Sequence, residues 1–271
     1  MARTMGLFGR KFLLDEGTTN WIFDSFAWAL ESFGSDVFYQ HTELVLPNDT
    51  YFPDKFETPE DVAETIFNRV RRYAGMEDWP CRLVAQEEEI NPKVGSALLL
   101  QGLPKGPAGT FSISSGKHPT IEISYDPTQI NQPEALIATF AHELAHYLMA
   151  SVENAPPGGD QFEEQATDLV AVFMGFGVFL ANSAFTFSQY ADSESQGWQT
   201  TSLGYLTETE FTYCLAVFLQ LKEINSATVD PHLDKHLMKT LNAARKEMNR
   251  SGDQFTRLRT IQSKGLAKFA S

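Results

Sequence analysis

Residues 156–159 read Pro-Pro-Gly-Gly, and this short stretch constrains the fold more than any other part of the 271-residue chain. The prolines remove backbone donors and clash with a preceding helical turn, while the glycines open the left-handed region. No helix runs through, and the chain can reverse. On both sides the pattern is helical. From Pro133 to about Val152 the apolar residues Leu136, Ile137, Phe140, Leu144 and Leu148 recur at three- and four-residue spacing, and Pro133 suits a first helical turn. From Asp160 to about Ala184 a second helix follows, with Asp160 and Glu163 at capping-box spacing. Two antiparallel helices joined by a tight reversal are predicted.

The first helix carries His142-Glu143-Leu144-Ala145-His146. Histidines four apart on a helix point at one place, where a zinc ion can take both. Glu143 is rotated by about 100° from His142 and can reach a metal-bound water. The helical wheel sets both histidines away from the centre of the apolar stripe, which argues against their burial in its core face. At about 1.5 Å per residue, His146 lies roughly 9 Å before the end of its helix and Glu164 roughly 6 Å after the cap of the next, so the two come level. His142 and Asp168 are each one turn farther from the reversal. Glu164 is therefore the candidate third ligand, and Asp168 the candidate acceptor for the free ring N–H of His142. Glu163, rotated by about 100° from Glu164, is left to the start of the helix.

His-Glu-x-x-His followed by Glu-x-x-x-Asp, here Glu164 to Asp168, resembles the gluzincin metallopeptidases. These include thermolysin-like and compact bacterial forms and, more loosely, the ImmA/IrrE-type proteases. The resemblance runs from Ala141 to Asp168. It implies a zincin-like fold and one zinc per chain held by His142, His146 and Glu164. It further implies Glu143 as general base, Asp168 holding His142, and a protein or peptide substrate. An oxyanion donor is expected beyond the third ligand: Tyr205 first, then His232 and His236. An extended substrate would pair with a sheet edge, for which Phe111 to Ser114 is the candidate. The competing reading is a non-catalytic, zinc-stabilised regulatory or protein-binding module. Glu143 discriminates, because a purely structural site has no use for an acid there.

The rest of the chain reads as α+β, with a mixed part over 1–152 and a mainly helical part over 153–271. Helices are expected from Thr19 to Phe33, Thr58 to Tyr73, Glu208 to Ile224 and His232 to Asn249, with Thr207 and Glu210 at capping-box spacing. Short strands are expected at Cys81 to Glu88 and Ala97 to Gln101, and a hairpin joins Phe111–Ser114 to Thr120–Tyr125. Gln189 to Gly204 is polar and reads as a surface loop. The basic residues near the end, Arg257, Arg259, Lys264 and Lys268, read as a solvated helix or tail.

A net charge of −14 repels phosphate backbones and anionic membranes, so nucleic acid is not an expected partner. Two separate cysteines, Cys81 and Cys214, make no disulfide framework and point to a reduced, cytoplasmic setting. Arg3, Arg10 and Lys11 are followed by Asp15 and Glu16 before any apolar run, unlike an export signal. The apolar stretch from Leu169 to Ala181 spans only about 20 Å of helix, which suits a core segment better than a membrane span.

Overall fold

The computed structural model describes residues 12–55, 58–86, 109–113, 121–191 and 206–262. Its architecture is α+β: a small three-stranded mixed sheet lies against a mainly helical body. Helix α1 (Glu16–Phe33) begins before the expected Thr19, because the Asp15 carboxylate caps it, accepting from the Thr18 amide at 2.9 Å. Helix α2 (Ser35–Gln40) follows directly, and α3 (Pro59–Tyr73) is capped by Thr58, as its sequence predicts.

Strands β1 (Cys81–Ala85), β2 (Gly109–Ile113) and β3 (Ile121–Tyr125) lie in the order β1-β3-β2. Central β3 is parallel to β1 and antiparallel to β2, with Phe111 opposite Ile123. The expected pairing across the hairpin is present, and among the described strands it leaves β2 at an edge. The strand expected at Ala97 to Gln101 lies outside the described residues.

Helix α4 (Pro133–Met149) is the spine of the molecule, buried without interruption from Ala135 to Ala145. Phe140 meets Phe67 of α3 at 5.1 Å and Tyr125 of β3 at 5.7 Å, both edge-on. Helices also pack on its other flank, so the stripe read from the sequence is only part of its buried surface. The expectation that the histidines avoid burial is therefore corrected: His142 is 2% exposed, turned toward polar partners rather than apolar ones.

The reversal takes both glycines in positive φ, 94° at Gly158 and 70° at Gly159. A Cβ on Gly158 would run into the Phe162 ring. Helix α1 braces this turn from outside: Trp21 Nε1 donates to the Pro157 carbonyl at 2.8 Å and Trp28 Nε1 to that of Asn154 at 3.0 Å. The turn tightens into one 3₁₀ segment, Gly159–Phe162, before α5 (Glu163–Ala171) starts. Asp160 thus does not cap α5, and the capping box expected with Glu163 does not form.

The single helix expected over 160–184 is interrupted. After α5 comes a wide turn, Val172–Phe176, and then α6 (Gly177–Ala191), which runs past the expected end. Gly175 has φ 102°, and its carbonyl accepts from the Val45 amide at 3.0 Å. A side chain there would collide with the Glu43 carbonyl oxygen. Asp160–Ala184 is long and apolar enough to cross a membrane, yet 94% of its most apolar window is buried in protein. It is a bent core segment.

Helix α7 (Glu208–Leu221) carries the expected Thr207/Glu210 capping box and stops before Ile224, where Glu223 takes a φ of 56°. Helix α8 (Leu237–Met248) starts later than His232 because Val229 to Leu233 form turns. Helix α9 (Gly252–Arg259) is not simply solvated: Phe255 packs edge-on against Phe23 of α1 at 5.4 Å. One core cluster runs from Ile22 in α1 to Leu258 in α9.

The bend at Gly175 yields a stability prediction. Gly175→Ala forces a side chain into a left-handed position and against Glu43, so it should cost about 1–3 kcal/mol or more. Urea denaturation of the two proteins checks this, and an unchanged midpoint would contradict the bend as described.

Candidate metal centre

Helices α4 and α5 pass in opposite directions, so residues one turn apart on the first meet residues one turn apart on the second. His142 Nε2 and His146 Nε2 lie 3.1 Å apart. Glu164 Oε2 is 3.4 Å from the first and 3.5 Å from the second. These three side chains form a group able to hold a metal ion. The Glu164 oxygen is buried and faces both ring nitrogens without a well-formed hydrogen bond to either.

Ring nitrogens facing away from this triangle are both occupied. His142 Nδ1 donates to Asp168 Oδ1 at 2.9 Å, and Asp168 Oδ2 accepts from the Leu206 amide at 2.8 Å. Asp168 has no exposed surface. His146 Nδ1 faces Thr167 Oγ1 at 3.3 Å. When Nδ1 carries the proton of a neutral imidazole, Nε2 is a lone pair. Two such lone pairs and a carboxylate oxygen at one point constitute a cation site.

Charge follows from this geometry. Burial works against a charged His142, but the carboxylates of Asp168 and Glu164 outweigh it and raise the imidazole to about 10. Burial also works against Glu164 as an anion, and the two imidazoles overcome it, holding Glu164 well below the usual carboxylate range. Glu143, 5% exposed, is pushed above that range by burial, despite the pull of the two histidines and a hydrogen bond from the Phe111 amide of β2.

The structure thus brings together His142, His146, Glu164 and Asp168, with Glu143 alongside. Glu163 is exposed and is not part of the triangle. His236 pairs instead with Glu208 at 3.3 Å, and His232 faces Asn48 at 3.5 Å. Among the described residues neither contacts the triangle. Tyr205 lies outside the described residues. Thr167, the Leu206 amide and the Phe111 amide escaped the sequence reading, because a helix-interior hydroxyl and two backbone groups leave no pattern. Only the place of Thr167 three residues after Glu164, on one helix face, could have marked it. Compared with protein-family models, curated proteins and solved structures, the chain gives no match, so its chemistry is argued from these residues.

Two outcomes are expected. Glu164→Ala should abolish tight metal binding, Asp168→Asn should weaken it by about 10–100-fold, and Glu163→Ala should leave it unchanged. Competition with a chromogenic chelator measures all three, and loss of metal in Glu163→Ala alone would invert the register. Second, the metal-free His142 keeps its extra proton until pH rises through about 10. Metal uptake at neutral pH should therefore release about one proton, with affinity falling as pH falls. Calorimetry in buffers of different ionisation enthalpy reads this directly; heats independent of the buffer would refute it.

Proposed function

We propose that this chain is a zinc-dependent peptidase in which Glu143 is the general base. The observation that carries the reading is the triangle of two imidazole nitrogens and one carboxylate oxygen, with edges of 3.1, 3.4 and 3.5 Å. Zinc bonds of about 2.0–2.2 Å place tetrahedral ligand atoms about 3.3–3.6 Å apart, close to these edges. A pair of neutral imidazoles with one carboxylate, and no thiolate, is a ligand set of catalytic rather than structural zinc. His142, His146 and Glu164 would hold the ion. When bound, zinc supplies a Lewis acid and an open position at which water is acidified.

The remaining steps belong to the protein. Glu143 sits one residue from His142 in a buried setting that raises its proton affinity, which suits a group that must take a proton and return it. Its carboxylate accepts the proton of the attacking water and delivers it to the departing amine, so no net proton is consumed. Asp168 keeps His142 oriented with Nε2 toward the ion. The Phe111 amide, turned from the edge strand β2 toward Glu143, supports an extended peptide as substrate, laid along that edge and hydrogen-bonded through its main chain. The zincin-like arrangement of helix, edge strand and third ligand is part of this proposal. Cys81 and Cys214 are both free thiols, in keeping with a reduced, cytoplasmic location.

Purified protein should contain about one zinc per chain. Glu143→Gln should keep the metal while cleaving a proteome-derived peptide library about 10²–10⁴-fold more slowly. Equal cleavage by both proteins would exclude Glu143 as the base, and a zinc-loaded wild type that cleaves nothing would exclude the peptidase.

A further inference from the structure

The two ligand histidines are not held by the same kind of group. His142 has a carboxylate behind it, whereas among the described residues His146 has the hydroxyl of Thr167. A hydroxyl can donate or accept, so by itself it would leave the imidazole free to present either nitrogen protonated. Here the ambiguity is removed. Thr167 Oγ1 lies 2.9 Å from the backbone carbonyl oxygen of Glu163, one turn back along α5. A carbonyl can only accept, so the single hydroxyl proton is committed there. The sulfur of Met149, at 3.3 Å, is a weaker acceptor and cannot compete. Thr167 has no exposed surface, so no solvent reorganises this arrangement.

With its proton spent on Glu163, Thr167 offers His146 only lone pairs, and Nδ1 of His146 must be the donor. We infer that Thr167 is a positioning residue for metal binding: its hydroxyl fixes the His146 tautomer and ring plane so that Nε2 meets the ion. This inference rests on the zinc reading of the site. It also gives α5 two roles at one turn, since Glu164 supplies a ligand and Thr167, on the same face, sets another ligand carried by α4. The main-chain carbonyl of Glu163 takes part, although its side chain does not.

The test uses the full chain and zinc alone. Thr167→Val keeps the side-chain shape and removes the hydroxyl, and should weaken zinc binding by about 10–100-fold in chelator competition. Thr167→Ser restores the hydroxyl and should recover most of the affinity, a rescue that a mere packing role would not give. Thr167→Ala covers the case in which valine fails to fold. In zinc-loaded protein the His146 Nδ1–H proton should resonate downfield in wild type and Thr167→Ser, and move upfield or broaden through exchange in the valine and alanine variants. Wild-type affinity and an unmoved resonance in a folded Thr167→Val or Thr167→Ala protein would overturn the role of Thr167 while leaving the metal site intact. A wild-type chain that takes up no zinc would instead overturn the reading on which the inference rests.

Discussion

A carboxylate with no surface in contact with water must find donors for both oxygens, and Asp168 finds them on two separate parts of the chain. One oxygen takes the imidazole N–H of His142 and the other takes the Leu206 amide just ahead of α7. Three segments are thereby locked in one geometry: α4, α5 and the approach to α7. The charge could not be tolerated there without the histidine, and the histidine could not keep its tautomer without the charge. Orientation of the His142 nitrogen at the triangle follows from that mutual requirement rather than from any contact within the triangle itself.

This lock needs rigid elements to act on, and α4 supplies the first because it is enclosed on every side. A helix buried all round cannot roll, so His142, Glu143 and His146 are presented at fixed angles. The partner helix is set by two backbone devices: the glycine pair at 158–159 decides where α5 begins, and the bend at Gly175 presents its carbonyl to the Val45 amide. Only a residue without a Cβ fits at this bend, because the Glu43 carbonyl oxygen occupies the place a side chain would take.

Much of this was readable in the sequence because the candidate ligands lie on regular helices, where periodicity converts spacing into direction. The level of Glu164 with His146, and of Asp168 with His142, followed from rise per residue and a reversal at Pro156 to Gly159. What escaped depended on information that periodicity lacks. The Asp160 cap failed because two consecutive left-handed glycines tighten the first turn, and capping-box spacing does not report φ. The continuous helix over 160–184 failed because Gly175 reads as a tolerated small residue until the Glu43 carbonyl beside it is known. His142 was assigned to the side away from the core because a helical wheel shows one partner face, whereas α4 has several. Thr207 and Glu210, by contrast, form the box their spacing indicates, with no distant element intruding.

The separation in sequence of the contacts described above has a consequence for how the molecule is assembled. His142 and Asp168 are 26 residues apart, whereas the indole bonds of Trp21 and Trp28 to the reversal span 136 and 126 residues. Ordering a short loop costs less entropy than ordering a long one, and local contacts form sooner than distant ones. The three side chains of the triangle therefore sit within one helical hairpin, whose closure costs less entropy than the docking of α1 on its turn. Trp21 and Trp28 thus brace from outside a corner whose internal geometry is already set by nearer contacts.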